Sequence, residues 1–293
     1  MSRSFMDEEI ASQPDCWRRA AELAGALGAR LPAPGRRVAV VGCGTSRFIG
    51  ESYAVLRESA GLGYTDAFAA SEFPKGRRYD ELLAISRSGT TTEVLRLLES
   101  VRGEMPTTVI TGVPKEIAPV SDTVLDLSFS DERSVVQTRF ATTTLALLRS
   151  HLGEDLTTAI RQAEQALTEP VDDAVRTASQ FTFLGTGWTV GIANEAALKF
   201  REASLSWTES YPAWEYRHGP ISISEPGRVT WMFGAAPGGL AEDVRRTGAT
   251  FVDGDLDPLA DLVRAQRVAG LIAADRGLDP DTPRNLTRSV VLH

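Results

Sequence analysis

The chain has 293 residues, 42% of them hydrophobic and 24% charged, which fits a globular protein of about two domains with a substantial core. Lys and Arg total 31 against 39 Asp and Glu, a formal charge of −8 with no long basic run, so nucleic acid and anionic membrane are poor partners. Cys16 and Cys43 form neither a disulfide framework nor a CxxC metal site and fit a reducing cytoplasm; neither a signal peptide nor a membrane span is read.

In chain order, a helical N-terminal stretch leads to a strand at Arg37 to Val41 and a helix from about Ser46 to Ala60. A strand at Glu81 to Ile85, a helix from about Thr91 to Arg102 and strands at Thr107 to Thr111 and Thr123 to Leu127 follow. Such alternation predicts parallel sheets with helices on both faces. One long helical segment is expected over roughly Phe140 to Leu167, with "TEPVDD" as a boundary. The opening then returns: "VAVVGCGTS" (Val38 to Ser46) and "FTFLGTGWT" (Phe181 to Thr189) share an apolar strand, Gly-x-Gly and a hydroxyl residue. Two copies of one α/β unit are the economical explanation, with units at 1–168 and 169–293.

The glycine turn of the first copy lacks the third glycine of a dinucleotide fingerprint, since Arg47 stands there. Thr45 and Ser46 open a helix instead, and Ser46 reads equally as an N-cap or an anion ligand. A second hydroxyl turn, "SRSGTTTE" (Ser86 to Glu93), follows the next strand, where the second copy has only "AAPGG". Ser86, Ser88, Thr91 and Arg87 therefore favour a dianion in the first half only. Both turns would lie at the C-terminal ends of neighbouring parallel strands, where open α/β sheets bind ligands.

In the second half, Lys199 and Glu202 lie three apart on one helical face, an arrangement that is more often a solvated surface pair. Of the three histidines only His218, in "RHGP", sits beside residues that shape a loop. No HExxH, DxDxDG or clustered His and Cys supports a metal.

"GCGTS", "ISRSGTT", "ALKFRE", "EYRHGP" and "PRNLTRSVVLH", in this order over nearly the whole chain, resemble the sugar isomerase (SIS) family. The nearest pattern is that of the isomerase half of glucosamine-6-phosphate synthase and of the ketose/aldose phosphosugar isomerases and deaminases. The resemblance implies two tandem flavodoxin-like SIS domains, a bound phosphosugar and an active site completed by a homodimer partner. It puts the phosphate on Ser46, Ser86, Ser88 and Thr91, with Thr45 beside them and Arg87 where the synthase has glutamine. It makes Glu202 the carboxylate that moves a proton between C1 and C2, Lys199 its neighbour and His218 the ring opener. "ERSVVQTR" resembles the segment that lines the sugar, which places Val135 and Gln137 near the substrate.

One departure is chemical. Arg288 stands in "NLTRSV" where the synthase carries an imine-forming lysine, and a guanidinium is no amine nucleophile. A glutaminase part with its cysteine nucleophile is not read, so amino-sugar synthesis from glutamine is not expected. The implied activity is an aldose/ketose phosphosugar isomerase, with or without amine release, that needs no metal or organic cofactor. The alternative is a non-catalytic sugar-phosphate sensor, which would need the serine turns but neither Glu202 nor His218.

Overall fold

A computed structural model describes residues 4–292. The first sheet comprises β1 (Val38–Gly42), β2 (Thr65–Ala69), β3 (Glu81–Ile85), β4 (Thr107–Thr111) and β5 (Thr123–Asp126), all parallel, in the order β2-β1-β3-β4-β5. The second comprises β6 (Gln180–Gly185), β7 (Trp207–Pro212), β8 (Arg228–Phe233) and β9 (Thr250–Val252), also parallel, in the order β7-β6-β8-β9. Both sheets place their first strand between the second and the third, so the order reverses beside β1 and beside β6. These two strands are buried along their whole length, which explains why they read as unbroken apolar runs.

Helices α1 (Phe5–Ala11), α2 (Gln13–Leu27), α3 (Thr45–Ser59), α4 (Thr92–Val101) and α5 (Pro114–Ile117) precede or cover the first sheet. Helices α6 (Arg139–His151), α7 (Thr157–Ala166) and α8 (Asp173–Arg176) connect the sheets, and α9 (Thr189–Ser204), α10 (Leu240–Arg246) and α11 (Pro258–Asp275) accompany the second. The expected α/β class with parallel sheets flanked by helices is what the chain forms. Among the described residues no helix is long and apolar enough to cross a membrane.

Three expectations are corrected. The helix expected over 140–167 is two, because the chain turns at Gly153, whose φ of +92° is left-handed and ends α6. The helical N-terminus is likewise two helices, α1 and α2, joined at Ser12. Ser46 is not an N-cap: that position belongs to Gly44, at φ +53°, and α3 has no side-chain cap.

One continuous core joins the sheets. It takes Val38 and Val40 from β1, Phe181 and Phe183 from β6, and between them Trp17, Phe140, Ile192 and Leu262. Side-chain hydrogen bonds cross this core: Trp17 Nε1 donates to Thr142 Oγ1 (3.0 Å), Thr142 Oγ1 to Gln13 Oε1 (2.6 Å), and Gln13 Nε2 to Gln266 Oε1 (2.8 Å). They tie α2, α6 and α11 together and satisfy polar groups that burial would otherwise penalise. Smaller apolar clusters fill the far faces, under α4 and α5 on one side and under α10 on the other.

Helices α3 and α9 meet at Gly191. A Cβ there would lie 2.5 Å from the Phe48 carbonyl oxygen and 2.4 Å from Ser52 Oγ, so the approach tolerates only glycine. Gly191→Ala is therefore expected to destabilise the protein by ~1–3 kcal/mol, the usual effect of overpacking. The measurement is a lowered denaturant midpoint at unchanged m-value; a wild-type midpoint would show that the two helices separate without loss.

Candidate active site

At the C-terminal ends of β1 and β3, where the first sheet reverses its strand order, a cavity of about 170 Å³ opens. The β1–α3 turn contributes Cys43, Gly44 and Thr45, and the β3–α4 turn contributes Arg87 and Thr91. Val135 and Gln137 line it from the loop before α6, Lys199 and Glu202 from α9, and residues 286–290 from the C-terminal tail. Both turns open helices whose N-caps, Gly44 and Thr91, make no side-chain cap hydrogen bond; the first amide of α4, Thr92, instead donates to the Val290 carbonyl of the tail at 3.1 Å.

Helix α9 builds the opposite wall. Glu195, Lys199 and Glu202 follow at i, i+4 and i+7 and so share one face. Lys199 is fully buried, yet its Nζ donates to Thr45 Oγ1 at 2.9 Å and to the Glu202 carboxylate, and lies 3.5 Å from Glu195 Oε1. Burial opposes the Lys199 charge, but the pull of Glu195 and Glu202 outweighs it and raises the ammonium above its usual value. Glu195 is also fully buried, with no hydrogen-bond partner for either oxygen; burial, only partly offset by Lys199, pushes its carboxyl up to about 8. Glu202 keeps 18% of its side chain exposed at the cavity edge, so the triad holds one protected acid, one fixed cation and one accessible carboxylate.

The loop before α6 is clamped by two further buried carboxylates. Glu9 of α1 accepts the amide N–H groups of Arg133 (2.5 Å) and Ser134 (3.3 Å), and Glu132 accepts those of Thr138 (2.5 Å) and Arg139 (2.8 Å). Burial and the nearby Glu132 lift the Glu9 carboxyl to about 7. Arg87 runs beneath the loop, donating to the Ser134, Val135 and Arg288 carbonyl oxygens, with Glu132 at 4.0 Å.

Of the residues expected at the site, Thr45, Arg87, Thr91, Val135, Gln137, Lys199, Glu202 and Arg288 are brought to this one cavity. Gln137 Oε1 is buried there without a protein partner. Ser46, Ser86 and Ser88 are buried in the two turns rather than in the wall, Ser86 Oγ without a partner and Ser88 Oγ donating to Ser289 Oγ at 3.1 Å. His218 stands apart, exposed at the end of a short 3-10 turn (Ala213–His218) after the edge strand β7. Of the pair Lys199 and Glu202, which spacing alone assigns to a solvated surface, Lys199 is buried and Glu202 half-buried at the cavity edge because α9 packs on α3. Sequence reasoning missed Glu195 and Asp131. The spacing of Glu195 from Lys199 in "NEAALKFRE" was a legible signal; Asp131 had none, since it meets its partner 157 residues away.

The second copy of the turn shows why only one half carries the cavity. Thr189, in the place of Ser46, accepts the Thr186 amide N–H at 2.8 Å and donates to the Phe233 carbonyl at 3.0 Å, so its hydroxyl is used internally.

No family model matches the chain. The glutamine–fructose-6-phosphate aminotransferase [isomerizing] of Sulfurisphaera tokodaii is 26% identical over 87% of this chain and 50% of its own length. That of Gloeobacter violaceus is 29% identical over 99% of this chain and 59% of its own length. Among solved structures, glucosamine-6-phosphate deaminase from Thermotoga maritima superposes with a TM-score of 0.83, 25% identity and coverage of 99% of this chain and 100% of that one. Over nearly its whole length the chain is thus similar to enzymes of this phosphosugar class, in line with the resemblance to the sugar isomerase (SIS) family. The chain spans about half the length of the curated relatives it matches. Tagatose-6-phosphate ketose/aldose isomerase from Escherichia coli, 20% identical over 99% of this chain and 97% of its own, shares the fold at a TM-score of 0.81.

Glu195 predicts a pH dependence. Its folded carboxyl, at about 8 against the usual 4.5, prefers the protonated form, so its contribution to stability is complete below about 4.5 and lost as pH rises through about 8. Glu195→Gln removes the titration, and its melting temperature relative to wild type should rise steadily from about pH 5 to about pH 8.5. A gap that does not change with pH would show that Glu195 ionises normally.

Proposed function

We propose that the chain is a phosphosugar isomerase that moves a proton between C1 and C2 of a hexose 6-phosphate, amino sugars included, with or without amine release. The observation that carries this reading is one cavity in which two hydroxyl turns without side-chain caps face the Lys199–Glu202 pair. The relatives named above, all acting on sugar 6-phosphates by name, support it. The phosphate sits at the turns of Ser46 and of Ser86, Ser88 and Thr91, where helix amides and hydroxyls donate to a dianion. Binding there positions the reacting carbons at the other end of the sugar.

Glu202 takes the proton alpha to the carbonyl and returns it to the adjacent carbon, which one carboxylate can do because one proton shuttles. Lys199, held charged, steadies the Glu202 carboxylate and the oxygen that gains charge in the enediol. Arg288 forms no imine with the ketose. We read the two sheets, which share one strand order, as two tandem SIS domains divided near residue 168. His218 acts from a neighbouring subunit as the ring-opening acid/base; it is exposed and outside its own cavity, in the same 3-10 turn as the exposed Trp214. Those side chains form the face that a second copy covers.

Glu202→Gln keeps shape and removes the base, so turnover on a panel of hexose 6-phosphates should fall by ~10² to 10⁴ while calorimetric affinity for the phosphosugar barely moves. Unchanged turnover, or equal affinity for phosphorylated and unphosphorylated hexose, would remove the enzyme reading or the phosphate site respectively. Mixing inactive Glu202→Gln and His218→Asn chains should restore part of the activity in heterodimers; no recovery would leave the isomerase and discard the shared site.

A further inference from the structure

After α11 the chain runs without regular secondary structure, and residues 286–290 form one wall of the cavity. Its apolar side chains are poorly covered: Leu286 is 43% exposed, and Val290, Val291 and Leu292 are each about half exposed. Apolar burial therefore contributes little to holding this segment down. Its attachment is polar. Arg87 Nη2 donates to the Arg288 carbonyl (2.6 Å), Ser88 Oγ and Thr90 Oγ1 donate to Ser289 Oγ (3.1 and 2.9 Å), and the Thr92 amide donates to the Val290 carbonyl (3.1 Å). The Leu292 amide in turn donates to Thr92 Oγ1 (2.8 Å).

Among the described residues, only one contact of the segment pairs full charges. Arg288 Nη2 lies 2.6 and 2.8 Å from the two oxygens of Asp131, which starts the clamped loop. The pair is about one third exposed on both sides, which makes it weak enough to break reversibly. Arg87 Nη2 also reaches the Arg288 carbonyl, so two cations meet here, with Asp131 paired to Arg288 and Glu132 4.0 Å from Arg87.

We propose that Arg288 is a positioning residue, a latch whose ion pair with Asp131 holds residues 286–292 as a strap across the cavity. The strap spans from the Asp131 loop to the start of α4 and opens when the pair breaks. Passage of a phosphosugar beneath it rests on the proposed function; the latch itself does not.

Charge balance sets a particular order of effects. Losing Arg288 removes an attraction, whereas losing Asp131 also leaves Arg288 facing Arg87, so the second change should open the strap further. The test is amide hydrogen exchange of residues 286–292 and Thr92 in the unliganded full chain, with α11 amides as the measure of an intact fold. Exchange should quicken roughly three-fold in Arg288→Gln and roughly ten-fold in Asp131→Asn, return to the Arg288→Gln level in the double variant, and stay near wild type in Arg288→Lys. Raising salt from about 0.05 M to about 0.5 M should speed strap exchange in wild type and leave Arg288→Gln unmoved. Wild-type exchange in Asp131→Asn, or a double variant no slower than Asp131→Asn, overturns the latch. Should Asp131→Asn unfold, the salt series on wild type decides, and strap exchange indifferent to salt overturns it as well. A salt-sensitive strap on a chain that turns over no phosphosugar keeps the latch and removes the function; turnover with a salt-indifferent strap does the reverse.

Discussion

A lysine buried between two glutamates is the constraint on which the rest of the site depends. An ammonium moved alone into the interior would cost several kcal/mol, so Lys199 is tolerated only with its partners in place. Helix α9 supplies two of them one turn to either side, Glu195 and Glu202, and α3 supplies the third, Thr45. Neither helix can slide or rotate on the other without stranding the charge. The same contact that satisfies Lys199 therefore fixes a carboxylate of the second half against a hydroxyl turn of the first.

The approach of α3 and α9 is made close by Gly191 and kept by the continuous core beneath it. Cross-links of lower energy hold the joint in register: Asn194 Nδ2 donates to Glu51 Oε2 at 2.9 Å, and the chain of hydrogen bonds from Trp17 to Gln266 ties the helices behind it. The two sheets thus act as one support. A cavity placed at this joint inherits walls from both of them, from the clamped loop and from the tail, without any one element enclosing it.

The two copies of the glycine turn show how a shared backbone is put to different uses. Gly44 and Gly187 take nearly the same left-handed conformation, at φ +53° and +59°. In the second copy the hydroxyl of Thr189 is bonded to its own turn and to β8, and the following turn has alanines. In the first, the neighbouring turn is crowded with hydroxyls, Ser86 Oγ has no partner and neither helix start has a side-chain cap. Polar groups left unanswered by the fold are what a ligand site requires, and here Ser86 of the first-half turn and Glu195 of α9 supply them.

Local chemistry made much of this legible in the amino-acid sequence. The central strands β1 and β6 are apolar throughout because both faces are covered, the repeated Gly-x-Gly marks turns that need positive φ, and the hydroxyl runs mark helix starts. The positions of β3 and β4, read from periodicity, are those observed. The break at Gly153 was missed because apolar spacing continues across it, and a single glycine in a helical pattern does not announce a turn. What only the tertiary structure decided is which charges are buried and with whom. Lys199 and Glu202 read as a surface pair, and Asp131 and Arg288 as unrelated residues, because spacing along one helix says which side chains share a face but not what covers that face. Burial and long-range charge pairing depend on how helices from both halves pack, and that packing is a property of the whole fold rather than of any local stretch.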